Sequence, residues 1–230
     1  MSEALHFAEH RLQEFALLFM GIVYIIKLRW ILSFKAGKER QAPSGRGSAN
    51  PKGSILYSMV NIAMPWAMES TRKNFFFYTQ FVLFHLGVTF AIALSFIIPY
   101  SPQLLEFLPF MTLLQIIIGL AFLVGVYRIL RRIFNIYLRA ISTPDDYFSL
   151  TLLTVWFFFT FWALPNDYQQ GESLLLTYFW MTAFFLVYVP FSKISHYLYY
   201  PFTRYYLGKT LGRRGVYPMQ KSVKPSPKES

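Results

Sequence analysis

The chain has 230 residues, of which 55% are hydrophobic and 14% charged, with a net charge of +11. A soluble domain carries about 25% charged residues, so this balance excludes an ordinary water-soluble fold. There is no cysteine, which excludes iron–sulfur clusters, disulfides and covalently attached haem within the chain. The positive balance fits the cytoplasmic loops of a membrane protein before it fits nucleic acid, and nucleic acid is not an expected partner. Ser2, Glu3, His6, Glu9 and His10 open the chain without a basic n-region or a small-residue cleavage site, so no signal peptide is expected.

A crossing helix needs roughly 20 mostly apolar residues to traverse ~30 Å of hydrocarbon. Residues 1–14 form an outer N-terminal segment, and the first predicted span runs from Phe15 to about Phe34. Lys27 and Arg29 lie toward its end, where long stems can snorkel to the headgroups. Lys35 to Lys52 is rich in Gly, Ser, Pro and basic residues and reads as a mobile loop. Ser54 to Met68 is apolar but interrupted by Asn61 and Pro65, so it reads as interfacial rather than spanning. Together they make a cytoplasmic stretch over about 35–73. The second span is Phe75 to Ile98, the third about Phe110 to Ile129, the fourth about Tyr147 to Leu164, and the fifth Ser173 to about Tyr199. Residues 201–230 form a basic tail with Arg204, Lys209, Arg213, Arg214, Lys221, Lys224 and Lys228.

The connections after spans one, three and five hold almost all the Lys and Arg, and those after spans two and four hold none. The positive-inside rule then places the N-terminus outside and the C-terminus in the cytoplasm. Apolar runs this long cannot be barrel strands of ~10 residues. The expected fold is an all-α integral membrane protein with five transmembrane helices spanning residues 15–200, and its first partner is the lipid bilayer.

Four histidines occur, and two of them fall inside predicted spans. An ionisable side chain at membrane depth is costly and marks a functional site by default. His85 lies twelve residues beyond Lys73 in span two and His196 eight residues before Arg204 in span five, rises of ~18 Å and ~12 Å along a helix. Both distances place the histidines in the cytoplasmic half. Two imidazoles from separate helices at similar depth suit axial ligation of one non-covalent haem b, and the rival reading is a polar residue bonded to a neighbouring helix. Gly87 is expected to let a flat macrocycle approach. Lys193 and the arginines after span three are placed to meet haem propionates as charge-assisted pairs. His6 and His10 are four apart on one helix face. A two-histidine metal half-site there lacks further ligands beyond Glu3, Glu9 and Glu14, and a solvated helix end or a contact with an outer-face partner accounts for the pair.

Three pieces carry a resemblance: Phe84-His85-Leu86-Gly87, the run Arg131-Arg132-Ile133-Phe134-Asn135 leading to Arg139-Ala140-Ile141-Ser142-Thr143, and Pro190-Phe191-Ser192-Lys193 followed by His196. In this order, from about Arg72 to Gly208, the chain resembles the membrane cytochrome b (gamma) subunit of respiratory nitrate reductases. It is also similar to related subunits of sulfate-respiration and heterodisulfide-reductase-type complexes. The resemblance implies electron exchange between a quinone pool and an iron–sulfur partner on the cytoplasmic face of a bacterial or archaeal inner membrane. An outer-face cytochrome or other membrane subunits are further partners it implies. Nitrate-reductase members bind two haems with four histidines. Here Ser95 stands ten residues after His85, and Tyr178 eighteen before His196, where the outer haem's ligands are expected. The resemblance therefore implies one haem, the one nearer the cytoplasm.

No hydrolytic or group-transfer motif is present, so the expected function is electron transfer, with the redox chemistry carried by haem. A quinone is expected either deep, near Ser95, Gln115 or Tyr178, or at the cytoplasmic face. Gln115 is equally explained by helix–helix hydrogen bonding. The rival is a non-redox anchor or a small transporter. Transporters of this class show inverted repeats or broken helices at midplane, and neither is evident in the sequence.

Overall fold

A computed structural model describes residues 2–35, 37, 42, 51–167 and 171–218. Much of the loop over 35–52 and the tail residues Lys221, Lys224 and Lys228 lie outside the described residues. Every described regular element is helical: α1 (Glu3–Ser33), α2 (Pro51–Val60), α3 (Glu69–Lys73), α4 (Phe75–Tyr100), α5 (Leu108–Phe134), α6 (Ile136–Ala140), α7 (Pro144–Ala163), α8 (Ser173–Tyr188) and α9 (His196–Arg213), with short single-turn pieces between them. Among the described residues five helices are long and apolar enough to cross a membrane: α1, α4, α5, α7 and Ser173–Phe191.

Two boundaries differ from the sequence expectation. The first span does not begin at Phe15. α1 is continuous over 31 residues, a rise of about 46 Å at 1.5 Å per residue. Nothing between Glu3 and Ser33 breaks it, and the Ser2 hydroxyl accepts the Leu5 N–H at 3.2 Å to cap its start. The only irregularity is a π-helical turn at Ala8–Leu12.

The fifth span does not continue to Tyr199. It ends in two 3₁₀ turns, Val189–Phe191 and Lys193–Ser195, and His196 opens a separate helix. Pro190 has no N–H to give the helix. The Ser192 and Ser195 hydroxyls turn back onto Val189 O and Ser192 O at 3.1 and 2.8 Å, which satisfies carbonyls the helix has released. Lys27 of α1 donates to Pro190 O and lies over the Phe191 ring at 5.4 Å. The amine expected to snorkel therefore caps the end of the fifth span.

The chain divides into two compact units, Met1–Phe34 with Thr79–Ser195, and Lys35–Tyr78 with His196–Ser230. In the first unit the buried positions of α4 are Gln80, Phe84, Gly87, Ala91, Leu94, Ser95 and Ile98. Those of α5 are Leu114, Ile118, Ala121 and Gly125. Alternating steps of three and four make a narrow seam of the coiled-coil kind. Outside the seams, large apolar side chains such as Leu18, Ile25 and Leu32 are exposed by 62%, 67% and 70%, as lipid-facing surfaces are.

Lipid tails are as apolar as leucine, so small residues and hydrogen bonds hold such helices together. A Cβ on Gly87 would stand 2.2 Å from Ala121 Cβ, and one on Gly125 2.4 Å from Thr154 Oγ1. These glycines set the close approach of α4 to α5 and of α5 to α7. Trp156 Nε1 donates to Thr182 Oγ1 at 2.9 Å, joining α7 to α8. Gln13 Nε2 donates to Phe179 O at 2.7 Å, joining α1 to α8.

The second unit is a helical hairpin of α2 and α9. A Cβ on Gly208 would meet Ile55 Cα at 2.6 Å, and one on Gly212 would meet Ser54 Oγ at 2.5 Å. Paired small residues four apart on both helices, Gly208/Gly212 and Ser54/Ser58, let the backbones touch. Tyr200 Oη donates to Met59 O at 2.8 Å, and Arg204 donates to the buried Asn61 side chain. α2 ends at Val60 and the chain turns through Asn61–Ala63, where the sequence placed its interruption.

Candidate functional site

His85 stands on α4, half-buried. Its Nδ1 is 2.7 Å from Phe81 O, one turn earlier. Read as N–H donating to the carbonyl, this bond leaves the ring's basic lone pair on Nε2, the arrangement metal-ligating histidines use. The Phe81 ring packs on the imidazole at 4.1 Å between centroids. Next to it, Phe84 meets Phe157 edge-on at 5.2 Å and carries the Arg128 guanidinium over its face at 5.2 Å. Arg128, at the end of the expected third span, thus lies along α5 against α4.

Gly87 lies two residues from His85, about 200° around the helix at 100° per residue. It faces Ala121 and Phe157 and is fully packed. The closeness it permits is between helices.

His196 is the first residue of α9 and is exposed, with its ring 6.4 Å from that of Tyr197. It belongs to the second compact unit, whereas His85 belongs to the first. The fifth span breaks at Val189–Ser195, so the distance of His196 from Arg204 along the chain does not set its depth in the membrane.

Lys193 is held by the start of α7. Its Nζ donates to Thr143 Oγ1 at 2.7 Å and to Asp146 Oδ1 at 3.1 Å. Asp146 also accepts from Thr143 N at 2.7 Å, closing the helix start. Arg132 stands 3.7 Å from Asp146 and donates to Ser142 Oγ at 2.6 Å. Beside them Tyr188 Oη donates to Asp145 Oδ1 at 2.7 Å and lies 2.9 Å from Ser149 Oγ. This network ties the ends of α5, α7 and α8 together. Asp145 and Asp146 escaped the sequence reading, which counted only the cations of this connection. The signal was the Thr143-Pro144-Asp145-Asp146 string, a helix start with Pro at its first position.

Ser95 and Tyr178 come together. Tyr178 is fully buried and donates to Ala91 O at 2.6 Å, with the Ser95 hydroxyl beside its own. Trp156 stacks parallel to Tyr178 at 6.4 Å and 7°. Gln115 is half-exposed on α5 and joins neither residue by a hydrogen bond.

At the start of α1 the His6 and His10 rings lie 4.8 Å apart, and His10 meets Tyr100 edge-on at 5.5 Å. An open cavity of ≈ 360 Å³ is lined by Ser2, Glu3, His6, Phe7 and Arg11. The exposed Glu172 carboxyl accepts the Ser2 N–H at 2.7 Å, and its bonds to Ser2 hold it below the usual carboxylate range. Among the described residues no group of three or more His, Cys, Asp or Glu is arranged to hold a metal ion. A two-histidine axial pair is not of that kind.

No family model, curated protein or solved structure matches the chain.

Proposed function

We propose that the chain is a membrane cytochrome b subunit that passes electrons between a quinone pool and an iron–sulfur partner on the cytoplasmic face, through one haem b ligated by His85 and His196. The observation that carries this reading is His85 itself. It is an imidazole inside an apolar spanning helix whose Nδ1 is tied to the Phe81 carbonyl. An ionisable side chain at membrane depth marks a functional site by default, and the Phe81 bond orients the ring's other nitrogen.

When bound, haem b supplies a one-electron couple. The residues of the chain ligate, orient and exclude water. His85 offers Nε2, and the rings of Phe81 and Phe84 stand beside it, with the Arg128 guanidinium over Phe84. Lys193 and Arg132 set positive charge at one end of the bundle, although Lys193 must exchange Asp146 to pair with a propionate. The full burial of Tyr178 and its bond to Ala91 O support a quinone position at the cytoplasmic side over one near Ser95 and Tyr178.

The alternating basic connections support an outer N-terminus and a cytoplasmic C-terminus, in a bacterial or archaeal inner membrane. Reduction of the purified protein by dithionite tests the reading. A b-type alpha band is expected; its absence from protein expressed with haem supplied removes the electron-carrier function.

A further inference from the structure

The second unit has a surface that its own packing does not explain. Its described residues carry Lys35, Lys52, Arg72, Lys73, Arg204, Lys209, Arg213 and Arg214 against a single acid, Glu69. Glu69 is already taken by Lys73 at 2.7 Å. The α2–α9 hairpin hides its small and polar residues, Ser54, Ser58, Asn61, Gly208 and Gly212, in its own interface. What it turns outward is aromatic and basic. Trp66, Phe75 and Phe76 are exposed by 65%, 60% and 66%, and Tyr197, Tyr205 and Tyr206 by 48%, 51% and 49%. Lys52, Arg72, Lys209, Arg213 and Arg214 are exposed among them. Arg72 donates back to the Trp66 backbone carbonyl at 3.3 Å, which ties one cation to this turn.

Amphipathic aromatic rings favour the headgroup level of a bilayer. Interfacial helices combine apolar contact with electrostatic attraction to anionic lipids. A protein-docking face would show its apolar residues in a core with charges at the rim. Here cations and aromatics are interspersed along one helix, as in Arg204-Tyr205-Tyr206-Leu207-Gly208-Lys209. The charge is of one sign, and the sequence of this unit runs directly into a spanning helix at Phe75.

We infer that the α2–α9 hairpin lies on the bilayer surface and binds the headgroups of anionic phospholipids through Lys209, Arg213 and Arg214, with Trp66 and the exposed tyrosines seated at the headgroup level. Its test reads the hairpin's contacts with lipid and not a haem spectrum, while His196, the proposed haem ligand, opens α9 of the same hairpin.

The chain lacks cysteine, so a single introduced thiol reports one site. The full-length protein is reconstituted in phosphatidylcholine vesicles with and without phosphatidylglycerol. A fluorophore is placed at Trp66→Cys or, separately, Tyr205→Cys, and is quenched by headgroup spin-labelled lipid. Quenching at both sites is expected, stronger when phosphatidylglycerol is present. Replacing Lys209, Arg213 and Arg214 with Gln is expected to remove that enhancement, each cation contributing about fivefold in affinity for the anionic surface. Equal quenching in neutral and anionic vesicles overturns the anionic-lipid assignment. Probes at both sites that remain open to water-soluble quencher and untouched by the lipid label overturn the surface placement and leave a protein partner as the occupant.

Discussion

Gly87→Ala is the substitution whose consequence can be worked most fully from the structure. The added Cβ would lie 2.2 Å from Ala121 Cβ, while its distance to the Phe157 ring, 3.4 Å, is tight but close to ordinary contact. Carbon atoms settle about 3.5–4.0 Å apart, so α4 and α5 must separate locally by roughly 1.3–1.8 Å. Ala121 has no torsion with which to retreat, and the backbone has to move. Overpacking of this kind costs about 1–3 kcal/mol. Unfolding of the purified protein in mild detergent, followed by circular dichroism, is the assay. The Ala121→Gly partner removes the opposing methyl. Ala121→Gly alone costs about 0.5–1 kcal/mol as a helix-interior glycine. The double substitution is expected to be no worse than Ala121→Gly, giving a coupling of about 1 kcal/mol or more. Gly87→Ala with wild-type stability, or a double variant that sums the two single losses, would refute the crossing geometry. If the glycine instead makes room for a cofactor, Gly87→Ala loses haem while its unfolding is unchanged.

Three further outcomes follow from named contacts. Tyr178→Phe deletes the bond to Ala91 O and is expected to cost about 0.6–1.7 kcal/mol; it leaves any b-type spectrum unaltered, and a changed spectrum would bring the tyrosine into the cofactor's surroundings. Glu9 Oε1 and Gln13 Oε1 are buried acceptors with no donor, so Glu9→Gln, which supplies an amide N–H, is expected to stabilise by about 1 kcal/mol in the same unfolding assay; a loss of that size contradicts the hydrogen-bond reckoning. Glu172 is depressed mainly by the hydrogen bonds from Ser2, so the link is present above the ordinary carboxylate range and is lost as pH falls through its lower folded value; the protection of amides in the first turn of α1, taken relative to their intrinsic exchange rate at each pH, should fall on acidification, and Glu172→Gln should flatten that dependence.

The five crossings were legible because lipid imposes a plain condition: long apolar runs with charges at their ends. The ends themselves were not. Thirty-one residues of α1 run on through Glu9 and Gln13 because polar residues do not stop a helix, and tertiary contacts decide whether it stays wound. Gln13 does so by donating to Ala8 O and Phe179 O at 3.1 and 2.7 Å, a pairing 166 residues apart in the chain that no local pattern carries. The break before His196 was readable in Pro190, whose missing N–H ends a helix, yet the surrounding apolar residues made a continuous span the simpler reading. His85 was visible as the ionisable residue of the second span. The service Gly87 performs was not, since only the fold brings Ala121 of α5 against it. Asp146 was hidden by its cationic neighbours, and its capture of Lys193 shows how a cation read as available for a ligand can already be engaged within the protein.

The most direct test of the central proposal is the reduced-minus-oxidised visible spectrum of the purified chain, combined with a pyridine haemochrome count, for the wild type, His85→Ala and His196→Ala. The account predicts a b-type alpha band, about one haem per chain, and loss of that haem in both variants while circular dichroism retains the helical signal. A wild-type protein without the band, or full haem retention in both variants, would contradict it.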